Sequence, residues 1–198
     1  MTDVAIIDNG GANIASLRHA LERLGANSVL TTDVATLRAA PRVLLPGVGA
    51  AADAMSRLRA HGLVDAIRSL TQPVLGICLG MQLMFERSDE GDTPCLGLID
   101  ARVSRFADAP DLPVPHMGWN RIDARSADPL LDGLRPGEHA YFVHSYRAPV
   151  GPWTVATTDY GGDFSSVIRQ RNFAGAQFHP ERSGPAGARL LANFLAAA

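Results

Sequence analysis

The stretch Pro73-Val-Leu-Gly-Ile-Cys-Leu-Gly-Met-Gln82 predicts the fold of this chain more clearly than any other segment. An apolar run enters it and a helical pattern follows at Met81–Phe85, which predicts a strand, a sharp turn and a helix. Cys78 stands at the turn with a glycine two residues to either side, which leaves room for a strained backbone. The positive end of the following helix favours a thiolate, so Cys78 is a candidate nucleophile. On this segment alone, a buried cysteine that serves only as a small hydrophobe remains an equal alternative.

A second motif, Ala176-Gln-Phe-His-Pro-Glu181, supplies possible partners for that cysteine. His179 and Glu181 are two residues apart after the apolar-leaning run Phe173–Phe178. If that run is a strand, the two side chains share a face. A histidine can take the proton of a thiol, and a carboxylate can orient the imidazole. Such a pair alone is more often a solvated surface pair, but with Cys78 it predicts a Cys–His–Glu triad.

Composition limits the classes of protein to consider. The chain has 198 residues, of which 46% are hydrophobic and 19% charged, and this predicts a single domain over residues 1–198. A net charge of -2 gives no reason to expect a nucleic acid or an anionic membrane as partner. No stretch has the pattern of a transmembrane span or a signal peptide. The two cysteines, Cys78 and Cys95, do not make a disulfide scaffold, so we expect a cytoplasmic location, with Cys95 as a spectator.

The order of apolar patterns predicts an α/β fold. Strand patterns alternate with helix patterns through the first half of the chain, which favours a mostly parallel central sheet flanked by helices. From about Leu96 onward, short strand patterns dominate and predict added antiparallel strands. Ser183 is expected to cap a final helix, with Pro185 in its first turn. Cys78 then falls at the carboxyl end of a strand, where sites of open α/β sheets lie.

Two glycine-containing loops follow predicted strands. Leu45-Pro-Gly-Val-Gly49 exposes backbone N–H groups that could form an oxyanion hole near Cys78, although an ordinary strand-to-helix turn has the same pattern. Asp8-Asn-Gly-Gly-Ala-Asn13 lacks the third glycine of a dinucleotide-binding loop, so we do not expect that function.

Together, these motifs resemble those of class I (triad) glutamine amidotransferases, which have a flavodoxin-like fold. Further segments resemble the glutaminase subunits of imidazole glycerol phosphate synthase, and the similarity runs nearly from end to end. These segments are Leu45-Pro-Gly-Val-Gly-Ala50, Pro115-His-Met-Gly-Trp-Asn120, Tyr141-Phe-Val-His-Ser-Tyr146 and Phe178-His-Pro-Glu-Arg-Ser183.

The resemblance implies a role for each matching residue. Cys78 would attack the carboxamide of glutamine, His179 would carry the proton, and Glu181 would orient His179. Backbone N–H groups of Val48 (or Gly47) and Leu79 would form the oxyanion hole. Four residues would contact bound glutamine: Gly49, Gln82, Ser145 and Tyr146. No metal or organic cofactor is implied.

The resemblance also implies a partner. Ammonia would pass into a (β/α)8 cyclase subunit in a 1:1 heterodimer, which makes imidazole glycerol phosphate and an aminoimidazole carboxamide ribonucleotide in histidine biosynthesis. The residues expected at the interface are Asn13, Trp119, Asn120 and Arg182. Relatives usually carry lysine where this chain has Arg182, so the contact there is expected to differ. Two other interpretations stay open: a hydrolase that acts without a partner, and a catalytically silent interaction protein.

Overall fold

The first half of the chain alternates strands and helices around a parallel sheet. The computed structural model describes residues 3–10, 13–110 and 112–197; residues 11–12, in the glycine-containing loop weighed above for dinucleotide binding, lie outside that range. The elements of this half are β1 (Val4–Ile7), α1 (Ile14–Arg23), β2 (Ser28–Thr31), α2 (Val34–Ala39), β3 (Val43–Gly47), α3 (Ala51–Ala60), α4 (Leu63–Arg68), β4 (Val74–Cys78) and α5 (Leu79–Gln82).

The second half consists mainly of strands and ends in a long helix. Its elements are β5 (Phe85–Ser88), β6 (Thr93–Pro94), β7 (Ile99–Arg105), β8 (His116–Arg121), β9 (Asp123–Ala124), β10 (His139–His144), β11 (Tyr146–Arg147), β12 (Thr154–Asp159), β13 (Asp163–Gln170), β14 (Phe173–Ala176) and α6 (Gly184–Ala196). A short 3₁₀ turn, Pro180–Arg182, connects β14 to α6.

The main sheet has eight strands in the order β2-β1-β3-β4-β14-β13-β12-β9. The strands from β2 to β14 run parallel, and β13, β12 and β9 add antiparallel pairing at one side. Every residue of β1, β3, β4 and β14 is buried, as expected for parallel strands that are covered on both faces. The predicted α/β architecture with added antiparallel strands is therefore confirmed.

Two smaller sheets complete the fold. Strands β8 and β10 form an antiparallel pair, and β11, β7, β5 and β6 form a four-stranded sheet in that order. Tyr146 and Arg147 of β11 pair with Arg105 and Ser104 of β7. The segment between β10 and β11 therefore links the two small sheets.

The turn at Cys78 is held by close packing of α5 against β3. Cys78 has φ 53° and ψ −113°, a conformation that residues with side chains rarely adopt. A Cβ atom on Gly80 would lie only 1.7 Å from the Leu45 carbonyl oxygen, and one on Gly76 would lie 2.7 Å from the Gly80 carbonyl oxygen. The two glycines flanking Cys78 are therefore required by contact distances.

Some local predictions were wrong. The helix expected at Met81–Phe85 is a single turn that ends at Gln82, because the carbonyl groups of the next residues accept hydrogen bonds from the 96–98 segment instead of continuing the helix. Helix α2 was not anticipated, although Asp33 caps it by accepting a hydrogen bond from the Thr36 N–H group. Sequence periodicity gives weak signals for such short helices, and tertiary pairing decides them.

The expected strand Phe173–Phe178 and the expected cap of α6 also differ from the structure. The strand ends at Ala176, and Glu181 lies in the 3₁₀ turn, so His179 and Glu181 meet through the turn and not by sharing a strand face. Pro185 lies in the first turn of α6 as predicted, but the Ser183 side chain makes no capping hydrogen bond. Its hydroxyl group donates to the His179 carbonyl oxygen and accepts from the Tyr141 N–H group.

Within the described ranges, no helix combines the length and the apolar character needed to cross a bilayer.

We predict that Gly80→Ala destabilises the fold severely. The added methyl group would meet the backbone of β3, which has no flexible side chain to give way, so the free energy of unfolding should fall by at least about 3 kcal/mol. Gly25→Ala is the control, because Gly25 has φ 79° with no atom within 4 Å of a Cβ, and it should cost only about 1 kcal/mol. Urea unfolding measures both, and equal losses would show that the close approach at Gly80 is not the constraint.

Candidate active site

Cys78 lies at the carboxyl end of β4, between β3 and β14 in the middle of the main sheet. Gly47 is its register partner on β3, and Ala176 of β14 pairs with Ile77 beside it. The cysteine borders a cavity of about 350 Å³. The cavity is lined by Val48, Gly49, Cys78, Leu79, Gln82, Glu90, Pro115, Val143, His144, Ser145, Tyr146 and His179.

The structure brings His179 and Glu181 together beside this cavity. His179 Nδ1 lies 2.9 Å from Glu181 Oε1, and the two side chains are 4% and 3% exposed. Cys78 lines the same cavity as His179 and is one of the two neighbours that raise the pKa of its imidazole. The three groups form a connected nucleophile, proton carrier and orienting carboxylate, the arrangement needed for acyl transfer.

The charge environment keeps His179 protonated at neutral pH. Burial alone would lower the pKa of this imidazole, but hydrogen bonds and charge interactions with Cys78 and Glu181 outweigh burial and raise the pKa to about 10. A protonated imidazole at this place holds a proton ready for a leaving group.

The turn that carries His179 and Glu181 is fixed from several directions. The His179 N–H group donates to the Tyr141 carbonyl oxygen at 3.0 Å, and Ser183 ties the turn to the same strand. Asn13, at the start of α1, donates its side-chain amide to Glu181 Oε1 at 3.2 Å. The second oxygen, Glu181 Oε2, is buried and has no hydrogen-bond partner among the described residues. Asn13, which the resemblance places at a partner interface, therefore also contacts the triad carboxylate.

The loop after β3 begins beside the turn at Cys78, since Gly47 is the register partner of Cys78. Val48 and Gly49 line the cavity, whereas Gly47 and Val48 also border a small crevice beside His179 and Glu181. The buried Asn9 side chain donates to the Pro46 carbonyl oxygen and so anchors the start of this loop. Leu79 is the first residue of α5, so its N–H group has no acceptor within the helix and is available to an oxyanion.

A buried hydrogen-bonded network supports the cavity wall beneath Cys78. The Gln82 side-chain amide donates to the Tyr146 carbonyl oxygen and to Gln177 Oε1, both at 2.8 Å. Gln177 Nε2 in turn lies 3.8 Å from Cys78 Sγ. Gln177 belongs to the second sequence motif. Its neighbours in the sequence are apolar, so the motif did not predict a polar contact with the cysteine.

Glu90 is a cavity residue that the sequence did not suggest. Its Oε2 accepts a hydrogen bond from the Ala51 N–H group at 2.7 Å, which holds the carboxylate at the edge of the cavity next to Gly49. A lone glutamate in a short 3₁₀ turn carries no recognisable pattern, so its position could be found only from the tertiary structure.

A second histidine on the cavity wall, His144, and the second cysteine, Cys95, have environments unlike those of the triad. Burial lowers the pKa of His144 to about 3, so its imidazole stays neutral and makes a poor base. Burial raises the pKa of Cys95 to about 11, and its thiol donates to the Thr93 carbonyl oxygen. Such a thiol is unreactive at neutral pH.

An exposed aromatic surface lies beside the triad turn. We call Met117, Trp119, Tyr141 and Arg182 the docking face. Met117 and Trp119 are 66% and 57% exposed, and Trp119 packs edge-on against Tyr141. The Arg182 guanidinium lies 5.2 Å from the centre of the Tyr141 ring, a cation–π contact. Large exposed apolar side chains next to one another are typical of an interaction site.

Comparisons with known proteins agree with this arrangement. The family model for class I glutamine amidotransferases matches residues 5–198. The chain is 54% identical to the imidazole glycerol phosphate synthase subunit HisH of Xylella fastidiosa (strain Temecula1) and 56% identical to that of Xanthomonas axonopodis pv. citri (strain 306). Each match covers 195 residues, or 98% of both chains.

Solved structures with low sequence identity share the fold. A putative GMP synthase component from Thermoplasma acidophilum superposes with a TM-score of 0.76 at 18% identity, covering 99% of this chain and 93% of that one. A glutamine amidotransferase superposes with a TM-score of 0.75 at 21% identity, covering 98% and 97%. With the family match over nearly its whole length, this chain belongs to the class I glutamine amidotransferase family.

Proposed function

We propose that this chain hydrolyses glutamine to glutamate and ammonia and delivers the ammonia to a cyclase partner. That partner would use it to make imidazole glycerol phosphate and an aminoimidazole carboxamide ribonucleotide in histidine biosynthesis. The observation that carries the proposal is the Cys78–His179–Glu181 arrangement at a cavity, in a chain more than half identical to imidazole glycerol phosphate synthase subunits HisH.

In the first half of the reaction, Cys78 Sγ attacks the carboxamide carbon of glutamine. The carbonyl oxygen becomes an oxyanion, which the N–H groups of Val48 (or Gly47) and Leu79 stabilise. The C–N bond then breaks, His179 gives its proton to the departing nitrogen, and ammonia leaves a γ-glutamyl thioester on Cys78. The raised pKa of His179 supports this role, because the proton is already in place at neutral pH.

In the second half, water attacks the thioester. His179, now neutral, takes a proton from the water, and the C–S bond breaks to release glutamate and the Cys78 thiolate. Glu181 stabilises the imidazolium that forms again and keeps it oriented through its 2.9 Å contact with Nδ1.

The polar groups around the cavity support glutamine as the substrate. The Glu90 carboxylate has the charge needed to bind an α-ammonium group. The Ser145–Tyr146 segment and Gly49 lie on the cavity wall and would hold the α-carboxylate end. The side-chain nitrogen of Gln82 donates hydrogen bonds to Tyr146 and Gln177. The side-chain oxygen of Gln82 therefore remains to accept from the substrate amide.

The docking face is where we place the (β/α)8 cyclase subunit, in a 1:1 heterodimer. The docking face is close to the triad, which supports this choice. Tyr141 belongs to the face, and its carbonyl oxygen accepts a hydrogen bond from the His179 N–H group. Trp119 and Arg182 would contact the partner directly, whereas Asn13 and Asn120 would lie at the edge of the interface.

We also propose that residues 1–198 act as one domain in the cytoplasm, where free Cys78 and Cys95 stay reduced.

The decisive experiment is glutamate release from glutamine by the purified chain, first alone and then with a (β/α)8 cyclase subunit plus its nucleotide ligand. A low rate alone and a large increase with both additions supports a partner-dependent glutaminase. A full rate without the partner would favour a hydrolase that acts by itself. No glutamate release under either condition would favour a catalytically silent interaction protein.

We predict that Cys78→Ser lowers glutamate release by the complex more than about a thousandfold, because a serine hydroxyl is a much weaker nucleophile than the thiol. Product formation from an added ammonium salt should persist, since the cyclase then needs no glutaminase. Cys95→Ser is the matched control and should keep glutamine-dependent activity, because the Cys95 thiol lies outside the cavity. Loss of activity in both variants would contradict the assignment of Cys78.

We predict that Glu181→Gln lowers the pKa of His179 by about one unit or more. Burial lowers this pKa, and the variant removes the carboxylate charge that counteracts burial. His179 keeps its proton below its pKa and loses it as the pH rises, so the alkaline fall in kcat should move to lower pH. NMR titration of the His179 ring and the pH profile of kcat in the complex measure this. The exposed Glu22→Gln is the control, and an unchanged His179 titration in Glu181→Gln would refute the prediction.

A further inference from the structure

A line of hydrogen bonds runs from the surface of β8 to the wall of the cavity. Asn120 Nδ2 lies 3.2 Å from His116 Nε2, and His116 Nδ1 lies 3.1 Å from His144 Nε2. His144 Nδ1 then lies 2.7 Å from the Tyr146 carbonyl oxygen. Both histidines are buried, and neither belongs to the triad.

The partners at the two ends fix where every proton in this line must be. The Tyr146 carbonyl oxygen can only accept, so His144 carries its proton on Nδ1 and its Nε2 is an acceptor. His116 must therefore donate from Nδ1, and its Nε2 accepts from the Asn120 amide. Burial lowers the pKa of His116 to about 4 and that of His144 to about 3, so both rings are neutral with one proton each.

The rings in the line are held by aromatic packing. The His116 ring stacks on Tyr160 with centroids 4.1 Å apart and on Phe142 at 5.0 Å. Phe106 packs against both histidines. This packing limits rotation of the two rings, so the hydrogen bonds between them keep a fixed geometry.

The line ends on the part of the cavity that we assign to glutamine. The Tyr146 carbonyl oxygen accepts from His144 and also from Gln82, so two side chains hold one peptide group. Ser145 and Tyr146 both line the cavity. From Gln82, the hydrogen bonds continue through Gln177 toward Cys78.

We propose that His116 is a positioning residue for glutamine binding. Its Nδ1–H group fixes the His144 ring, which holds the Tyr146 carbonyl oxygen and the cavity wall, while its Nε2 atom ties that wall to Asn120 beside the docking face. This inference rests on the proposed function, because it takes the cavity as the glutamine site. Loss of the His116 donor leaves a buried acceptor on His144, so the Ser145–Tyr146 wall loses its fixed position.

Two variants separate this role from simple packing. His116→Phe keeps a ring to stack on Phe142 and Tyr160 but removes the donor to His144. His116→Asn loses the ring but keeps an amide N–H near the place of Nδ1. We expect His116→Phe to raise KM for glutamine about tenfold, the effect of one hydrogen bond, with a much smaller change in kcat. His116→Asn should restore most of the loss in KM.

The measurement is KM and kcat for glutamine in the complex with the cyclase subunit plus its nucleotide ligand. A packing role predicts the reverse order, with His116→Phe tolerated and His116→Asn impaired, and that result would overturn the proposal, as would an unchanged KM in both. If His116→Phe does not fold, His116→Gln replaces it, because its longer amide reaches Asn120 but cannot donate from the Nδ1 position.

A spectroscopic measurement tests the line without relying on glutaminase activity. The ¹⁵N shifts of the histidine rings in the isolated wild-type chain should show His116 and His144 neutral at pH 7 with the proton on Nδ1. The His144 signal should shift in His116→Phe and stay close to wild type in His116→Asn. Protons on Nε2 would overturn the inference, whereas an inactive wild-type complex would count against the proposed function.

Discussion

The close contact between α5 and β3 is the constraint on which the site depends. Because Gly80 packs directly on the Leu45 carbonyl group, the chain must turn sharply at Cys78, and the cysteine takes a left-handed φ that it would otherwise avoid. This turn directs the sulfur toward the cavity and places the start of α5 beside it. The backbone strain at Cys78 is offset by the buried packing of strands on both sides.

The charged groups follow from that position. His179 is buried, and an isolated buried imidazole would be neutral, as His144 is. The difference between the two histidines lies in their neighbours, because His179 has a carboxylate and a sulfur, whereas His144 has a carbonyl oxygen and another imidazole. Two histidines in one site therefore have opposite charge states at neutral pH, one suited to moving a proton and the other to fixing a structure.

Much of this could be predicted from sequence, because buried parallel strands give continuous apolar runs and the strained turn requires glycines at fixed positions. The alternation of strands and helices up to β4 and the cysteine at a strand end were predicted in this way. The short helix α5 was predicted too long, since hydrogen bonds from a distant segment end it. Glu90 and the partners of His116 depend on tertiary contacts between loops, which leave no periodic pattern in the chain. Ser183 shows the same limit, because its hydroxyl group binds a distant strand instead of the helix that follows it.

The place of β14 in the sheet has a consequence for the timing of synthesis. This strand pairs with β4, and Gln177 just beyond it is 99 residues from Cys78 along the chain. A ribosome therefore makes the cysteine long before it makes the histidine and the carboxylate. Until the segment after β13 has been made and β14 pairs between β4 and β13, the Cys78 thiol has neither His179 nor Glu181 beside it. An incomplete chain therefore lacks the reactive centre, which forms only once β14 has joined the sheet.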